Sequence, residues 1–281
     1  MERACGCIPT HPTWRPRVCR DKLSAMRDST DAPVLEVCCG SADFALEAEA
    51  AGAGRVELCD NLVEGGTTPS AGAIEVAVRR LGIPVMVMIR PRGGDFLYRG
   101  YEVEVMLADI EEARRHGAHG VVFGALAANG SVDRAITAEL KAAAGPMAVT
   151  FHRAFDLSRD LEESLDVLME IGVDRVLTSA GRATVVDRLD TLARLTARAD
   201  DALVVLPGGG IRPENVARVL SVPGVREIHL GASRRVASGM EYRVDGVPMG
   251  SAYEPDEYLV EVADVERVSA VAGAMAAGPR A

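Results

Sequence analysis

The sequence lacks long hydrophobic segments and an excess of positive charge. No apolar run reaches the roughly 18 residues that suggest a membrane-spanning helix, and residues 1–33 lack the apolar core of a secretion signal. We therefore expect a cytoplasmic protein. Lysine and arginine number 31 against 41 aspartate and glutamate residues, a net charge of −10. General binding to nucleic acid or to an anionic membrane is disfavoured, because both need clustered cations.

Cysteine is also scarce. Six cysteines in 281 residues are too few for a disulfide scaffold. Three lie in residues 1–33, a segment without periodicity that we interpret as a flexible N-terminal extension: Cys5, Cys7 and Cys19. The other three lie in apolar runs that resemble strands: Cys38, Cys39 and Cys59. A cysteine in such a run is usually a small buried hydrophobe.

Short apolar runs alternate with helical stretches from residue 34 onward. The predicted strands are 34–39, 55–59, 85–90, 120–123, 147–152, 175–178, 203–206 and 226–230. The predicted helices are 42–51, 71–81, 102–116, 133–144, 161–171, 183–199, 213–220 and 262–277. Repeated strand–helix units favour a parallel sheet. We predict an α/β fold, a single-domain (β/α)₈ TIM barrel over residues 34–281. An open doubly wound sheet is the alternative, although no GxGxxG follows the first strand.

The strand parity places charged groups inside this barrel. Alternate residues of a strand face opposite sides, and the apolar alternation points five polar residues inward: Glu36, Glu57, Arg90, His152 and His229. A barrel interior is normally filled with branched apolar side chains, and buried charges are costly unless they are paired. The pattern predicts a functional site at the carboxyl ends of the strands. A buried ionic network among Glu36, Glu57, Arg55 and Arg90 is the structural alternative.

The strand-end loops suggest a small anionic, perhaps phosphorylated ligand. Arg90 and Arg92 have the chemistry for bidentate binding of a carboxylate or phosphate. Further candidate binding residues lie in the loops after the third, fifth, sixth, seventh and eighth strands: Asp95, Arg153, Thr178, Gly209, Gly210 and Ser233. The last two of these loops occupy the place where many barrels bind phosphate through backbone N–H groups.

An acid–base role is open to the inward carboxylates and a histidine. His152 with Glu36 or Glu57 forms a hypothetical catalytic pair, and Asp156 is a further catalytic candidate. Such a site would support isomerase-, aldolase- or lyase-like chemistry. An imine mechanism is disfavoured, because no lysine ends a strand.

Two cysteines provide a candidate metal site. Cys38 and Cys59 end neighbouring strands with the same inward parity, and such strands lie about 4.8 Å apart. Thiolates select Cu(I), with zinc as the alternative. Met86 and Met88 face the same interior, as a third soft ligand or more simply as core filler.

Several motifs together resemble the CutC family of copper homeostasis proteins. They are Leu35-Glu-Val-Cys38, Arg55-Val-Glu-Leu-Cys59, Glu64-Gly-Gly-Thr-Thr-Pro-Ser70, Ile89-Arg-Pro-Arg-Gly-Gly-Asp-Phe96, Thr150-Phe-His-Arg-Ala-Phe-Asp156, Arg175-Val-Leu-Thr-Ser179 and Gly208-Gly-Gly. The resemblance implies a cytoplasmic TIM barrel that forms a homodimer or homotetramer. It also implies Cu(I) binding through Cys38 and Cys59. Residues 1–33 have no counterpart in the shorter members, and Cys39 departs from the family pattern.

Three functions are consistent with these features. The first is a CutC-like copper homeostasis protein with the copper ion as its partner. The second is a TIM-barrel enzyme acting on a small anionic or phosphorylated substrate, with copper binding incidental. The third is a non-catalytic sensor or scaffold. We predict the first of these. A copper carrier has no evident use for Arg90, Arg92, Asp95, His152, Arg153 and Asp156 around one pocket, and this surplus supports the enzyme as the alternative.

Overall fold

A computed structural model describes residues 32–244, 247 and 258–277. Its central strands are β1 (Val34–Cys39), β2 (Arg55–Leu58), β3 (Val85–Met88), β4 (Gly120–Phe123), β5 (Ala148–Phe151), β6 (Arg175–Thr178), β7 (Val204–Pro207) and β8 (Glu227–Gly231). Its helices are α1 (Ala42–Ala50), α2 (Ala71–Arg80), α3 (Tyr101–Arg115), α4 (Arg134–Ala144), α5 (Leu161–Ile171), α6 (Leu189–Ala199), α7 (Val216–Leu220) and α8 (Val265–Ala276). All eight predicted strands are present, each within two residues of its predicted ends.

The helix boundaries follow local capping signals. Ser70 accepts a hydrogen bond from Ala73 N at the start of α2, and Asp160 accepts from Glu162 N and Glu163 N at the start of α5. Such caps satisfy backbone donors that have no partner inside the helix. Gly172 ends α5 with a φ of 80°, a conformation that glycine adopts without steric cost.

The eight strands are hydrogen-bonded in the order β7-β6-β5-β4-β3-β2-β1-β8, and each neighbouring pair is parallel. The ends of this order approach each other: a methyl group added at Gly208, just after β7, would lie 3.2 Å from His229 Cβ on β8. The strands therefore form a nearly closed barrel with helices between them, and the predicted TIM-barrel fold is confirmed.

The strand parity is confirmed as well. Leu35 and Val37 of β1 face the helices in the large outer core, as do Val85 and Val87 of β3. The opposite faces point inward, where a small cluster is formed by Cys59, Met86, Met88 and Val122. The carboxyl ends of all eight strands therefore surround one end of the barrel, which is where the polar inward residues lie.

Two predicted helices are shorter than expected. Residues 183–199 were predicted as one helix, but Val185–Arg188 is a 3₁₀ helix. Arg188 then leaves the helical region with φ −141° and ψ 41° before α6 begins. Residues 213–215 belong to a turn rather than to α7, because Asn215 accepts from Arg212 N and donates to Gly210 O.

A two-stranded ribbon was missed. The strands β9 (Ser233–Ala237) and β10 (Leu259–Ala263) pair in antiparallel fashion. The last helix was predicted to begin at residue 262, yet it begins after β10, at Val265, with Asp264 as its cap. The two strands of the ribbon are separated by 21 residues, so local periodicity carries no information about their pairing.

The predicted N-terminal extension falls mostly outside the described residues. Residues 1–31, with Cys5, Cys7 and Cys19, are not among them, and the boundary at residues 33 and 34 stays a prediction. Within the described ranges, no helix combines the length and the hydrophobicity that crossing a membrane requires.

Candidate functional site

Two cysteine sulfurs meet at the carboxyl ends of β1 and β2. Cys38 Sγ lies 3.7 Å from Cys59 Sγ; Cys38 is half-buried and Cys59 is buried. Cys59 Sγ also lies 3.6 Å from Glu57 Oε2. Cys39 faces the other way, into the outer core, where its Sγ donates to Val37 O. The sequence-predicted sulfur pair, Cys38 and Cys59, is therefore brought together, and Cys39 is separate from it.

The two thiols have different proton affinities. The hydrogen bond from Cys59 lowers the pKa of Cys38 to about 5 against the opposing effect of burial, and His229 adds to this lowering. The same hydrogen bond, together with burial, raises the pKa of Cys59 well above its usual range. At neutral pH the sulfur pair thus carries one thiolate and one thiol, and the thiolate is the form that binds metals.

His229 lies directly beside the sulfur pair. Its Nδ1 is 2.8 Å from Glu36 Oε1, and its Nε2 is 3.8 Å from Glu57 Oε2. Burial lowers the pKa of His229, but Glu57, Cys38 and Glu36 outweigh it and raise that pKa well above its usual value. Burial, with the nearby Cys38, also raises the pKa of Glu57 well above its usual range.

These side chains form two overlapping groups of potential metal ligands. Cys38, Glu57 and Cys59 form one, and Glu36, Glu57 and His229 form the other, with the ligand atoms of each group within 4.8 Å of one another. The strand parity points His229 inward, toward the predicted site, but His229 was not among the predicted catalytic or substrate-binding residues. Its signal was a histidine on the inner face of the last barrel strand.

Glu36 belongs to a buried ionic network below the sulfur pair. Arg55 donates to both Glu36 and Glu227, and Arg175 Nε lies 2.9 Å from Glu227 Oε2. Burial raises the pKa of Glu36, but Arg55 and His229 outweigh it and hold that pKa below its usual range. A buried ionic network, the structural alternative given above, is present around Glu36 and Arg55, but its further members are Glu227 and Arg175 rather than Glu57 and Arg90.

His152 lies apart from the carboxylates with which it was predicted to pair. Its Nδ1 accepts a hydrogen bond from Ala154 N at 3.2 Å, and its buried Nε2 has no partner among the described residues. Burial, together with the positive charge of Arg90, lowers the pKa of His152 to about 3. Among the described residues no hydrogen bond joins His152 to Glu36 or Glu57. Glu36 is bonded instead by His229 of β8, the strand that pairs with β1.

The two arginines of the loop after β3 bond within the chain. Arg90 Nη1 donates to Glu64 O at 2.7 Å and to Gly66 O at 2.8 Å, and its Nη2 donates to Gly94 O at 3.0 Å. Arg92 binds Glu102 and Asp95. These contacts differ from the expectation that both guanidinium groups present their forks to a ligand, because the Nη atoms hold the loop instead.

A further group of hydrogen-bonded residues surrounds the carboxylate of Asp156. Its carboxylate accepts from Thr178 Oγ1 at 2.6 Å and from Ser179 N, Ser179 Oγ and Gly181 N. Arg153 Nε donates to the same carboxylate at 2.8 Å. Asp156, Arg153 and Thr178 are thus brought together, and the contacts fix the turn after β6.

The glycine-rich loop after β7 packs against this turn. Gly209 and Gly210 have φ values of 88° and 71°, and a methyl group added at Gly209 would lie 3.0 Å from Ser179 Cβ. Glycine is required there by both conformation and space. Ser233 is exposed at the start of the ribbon strand β9.

The chain is similar to proteins of one family. The model of the CutC family matches residues 33–234. The copper homeostasis protein cutC homolog of Mus musculus is 46% identical over 235 residues, which cover 84% of this chain and 86% of that protein. A CutC family protein of Chromobacterium violaceum is 47% identical over 242 residues, 86% of this chain and 98% of that protein.

A solved structure agrees with this similarity. The crystal structure of the putative copper homeostasis protein CutC from Streptococcus agalactiae matches with a TM-score of 0.67 at 33% identity, over 70% of this chain and 97% of that one. The chain therefore belongs to the CutC family.

Proposed function

We propose that the chain is a copper homeostasis protein that binds Cu(I) between Cys38 and Cys59. The observation that carries this proposal is the 3.7 Å separation of the two sulfurs at the end of the barrel. Two cysteine sulfurs are a soft donor set, which selects Cu(I) among biological metals. The relatives from Mus musculus and Streptococcus agalactiae are named as copper homeostasis proteins, which supports the same function for this chain.

The surroundings of the sulfur pair suit a soft cation. Methyl groups added at Gly66 would lie 3.1 Å from Cys59 Sγ and 3.7 Å from Met88 Cε, so a thioether borders the pair. Glu57 and His229 add oxygen and nitrogen donors. Coordination of Cu(I) by both sulfurs requires release of the proton on Cys59. The affinity for the metal should therefore increase with pH.

An anaerobic Cu(I) titration of the full chain against a competing chelator tests this proposal. We expect one tight equivalent, weakened at least about 100-fold in Cys38→Ser and in Cys59→Ser because each removes one of two thiolate ligands. Cys39→Ala is the matched control, since Cys39 faces the outer core, and it should retain the tight equivalent. Binding that is weak, or indifferent to Cys38→Ser and Cys59→Ser, would contradict the copper function.

An enzyme is the second candidate function, and the Glu36–His229 hydrogen bond of 2.8 Å favours it. A histidine oriented by a carboxylate, beside a second carboxyl group of raised pKa, is an arrangement suited to acid–base catalysis on a small anionic substrate. Copper binding that does not depend on the sulfur pair would favour this candidate.

The copper proposal also includes cytoplasmic action and a homodimeric or homotetrameric state.

A further inference from the structure

Arg90 differs from the other buried arginines of the barrel in having no anionic partner. Arg55 is paired with Glu36 and Glu227, and Arg175 is paired with Glu227. Arg90 is equally buried, at 5% exposure, yet no carboxylate of the described residues lies within ion-pair distance of it. A buried charge without compensation is strongly destabilising. The positive charge of Arg90 therefore calls for an anion, and the described part of the chain does not supply one.

Hydrogen bonds fix the guanidinium of Arg90 in place, but they do not involve all of its N–H groups. Both Nη atoms donate to backbone carbonyls of the loops after β2 and β3. Its Nε–H is buried and has no acceptor in the part of the chain that the structure describes. One oriented N–H donor of a positively charged group thus remains.

His152 presents a second buried donor of the same kind. It is 4% exposed, and its Nδ1 accepts from Ala154 N, so the proton of the neutral ring is on Nε2. No described residue accepts a hydrogen bond from that Nε2–H. The ring is held tightly, because a methyl group added at Gly124 would lie 2.6 Å from its Nδ1. Buried polar groups of native proteins normally have a partner.

The two donors flank one aromatic ring. The centroid of Phe96 lies 4.8 Å from that of His152 and 5.1 Å from Arg90 Cζ. Arg90 follows β3 and His152 follows β5, on either side of β4, while Phe96 is half-buried in the loop that Arg90 holds. Both side chains therefore border Phe96 at the barrel end.

We infer that Arg90 and His152 form a binding site for a small organic carboxylate, in contact with Phe96. A carboxylate is planar and presents two acceptor oxygens, which match the two N–H donors, and its charge compensates Arg90. The site lies outside the sulfur pair and goes beyond copper binding, so the two sites can be tested independently.

Thermal unfolding of the full chain in metal-free buffer tests this site. Sodium malonate and sodium oxalate at about ten times their dissociation constants should raise Tm by roughly 3–6 °C relative to sodium chloride of equal ionic strength. His152→Asn retains an oxygen acceptor for Ala154 N but removes the Nε2–H donor, and it should weaken carboxylate binding about tenfold. Arg99→Lys, at an exposed residue of the same loop, is the matched control and should bind as the wild type does.

A spectroscopic readout separates binding from a structural role. A carboxylate bound beside Arg90 should shift the NMR signal of the His152 Nε2–H proton, and the shift should saturate with malonate concentration. The variant with both Cys38→Ser and Cys59→Ser should show the same shift, whatever the outcome of the copper titration. The inference is overturned if neither carboxylate stabilises the protein, if inorganic phosphate alone does, or if His152→Asn binds malonate as tightly as the wild type.

Discussion

The polar residues that point into this barrel differ in whether neighbouring side chains compensate a charge on them. Glu36 is bonded by Arg55 and His229, so its charge is maintained inside the fold. His152 has only a backbone N–H on one nitrogen and the positive charge of Arg90 nearby, and it is therefore buried in its neutral form. Of two polar residues with the same inward parity, one is thus ionised and the other neutral, because their neighbours come from different strands.

The neutral state of His152 makes the stability of the protein depend on pH. Its pKa is about 3 in the folded protein and about 6.5 in an unfolded chain. Above pH 6.5 neither state binds the proton; below it only the unfolded state does, until the pH reaches the folded pKa. As the pH decreases between these two values, the free energy of unfolding should fall by up to about 1.4 kcal/mol per pH unit. Urea unfolding from pH 7 to pH 4.5 should show a smaller loss in His152→Asn, and identical pH profiles would contradict a neutral buried His152.

Among the elements, those with contacts inside one strand–helix unit were predictable and those with distant partners were not. Apolar alternation in β1 and β3 gave the correct inward faces, and the meeting of Cys38 with Cys59 followed from two adjacent parallel strands. The opposition of Glu36 and His229 depends on the register between β1 and β8, the first and last strands of the barrel along the chain. The pairing of β9 with β10 depends on contacts across 21 residues. Closure and long-range pairing are tertiary properties, and a local pattern does not contain them.

Two glycines of different helices should respond oppositely to the same substitution. Gly172 ends α5 with φ 80°, and a methyl group added there meets no atom within 4 Å. Gly172→Ala should therefore cost only backbone strain, about 1–2 kcal/mol of unfolding free energy. Gly273 lies inside α8 and is equally open, so Gly273→Ala should stabilise by roughly 0.5–1 kcal/mol. Urea unfolding of both variants measures the two changes, and a loss in Gly273→Ala would contradict its helical backbone.

On the scale of the whole molecule, the buried ionic network connects strands that the backbone ladder does not. Glu227 of β8 binds Arg55 of β2 and Arg175 of β6. Since β7 and β8 are the two ends of the hydrogen-bonded strand order, the Glu227–Arg175 contact bridges the closing point of the barrel. The network therefore holds the two edges of the sheet together beneath the site.

Removing the carboxylate of Glu227 should weaken this closure. Glu227→Gln leaves Arg175 without an anion and Arg55 with Glu36 alone, and an uncompensated buried charge should lower the unfolding free energy by about 3–5 kcal/mol. Asp166→Asn is the matched control, because Asp166 pairs with Arg198 at the surface, where the loss should be a small fraction of that. Urea unfolding at low and high sodium chloride measures both, and the Glu227→Gln loss should persist in salt because buried pairs are poorly screened. Equal losses in the two variants would mean that the network is not what closes the barrel.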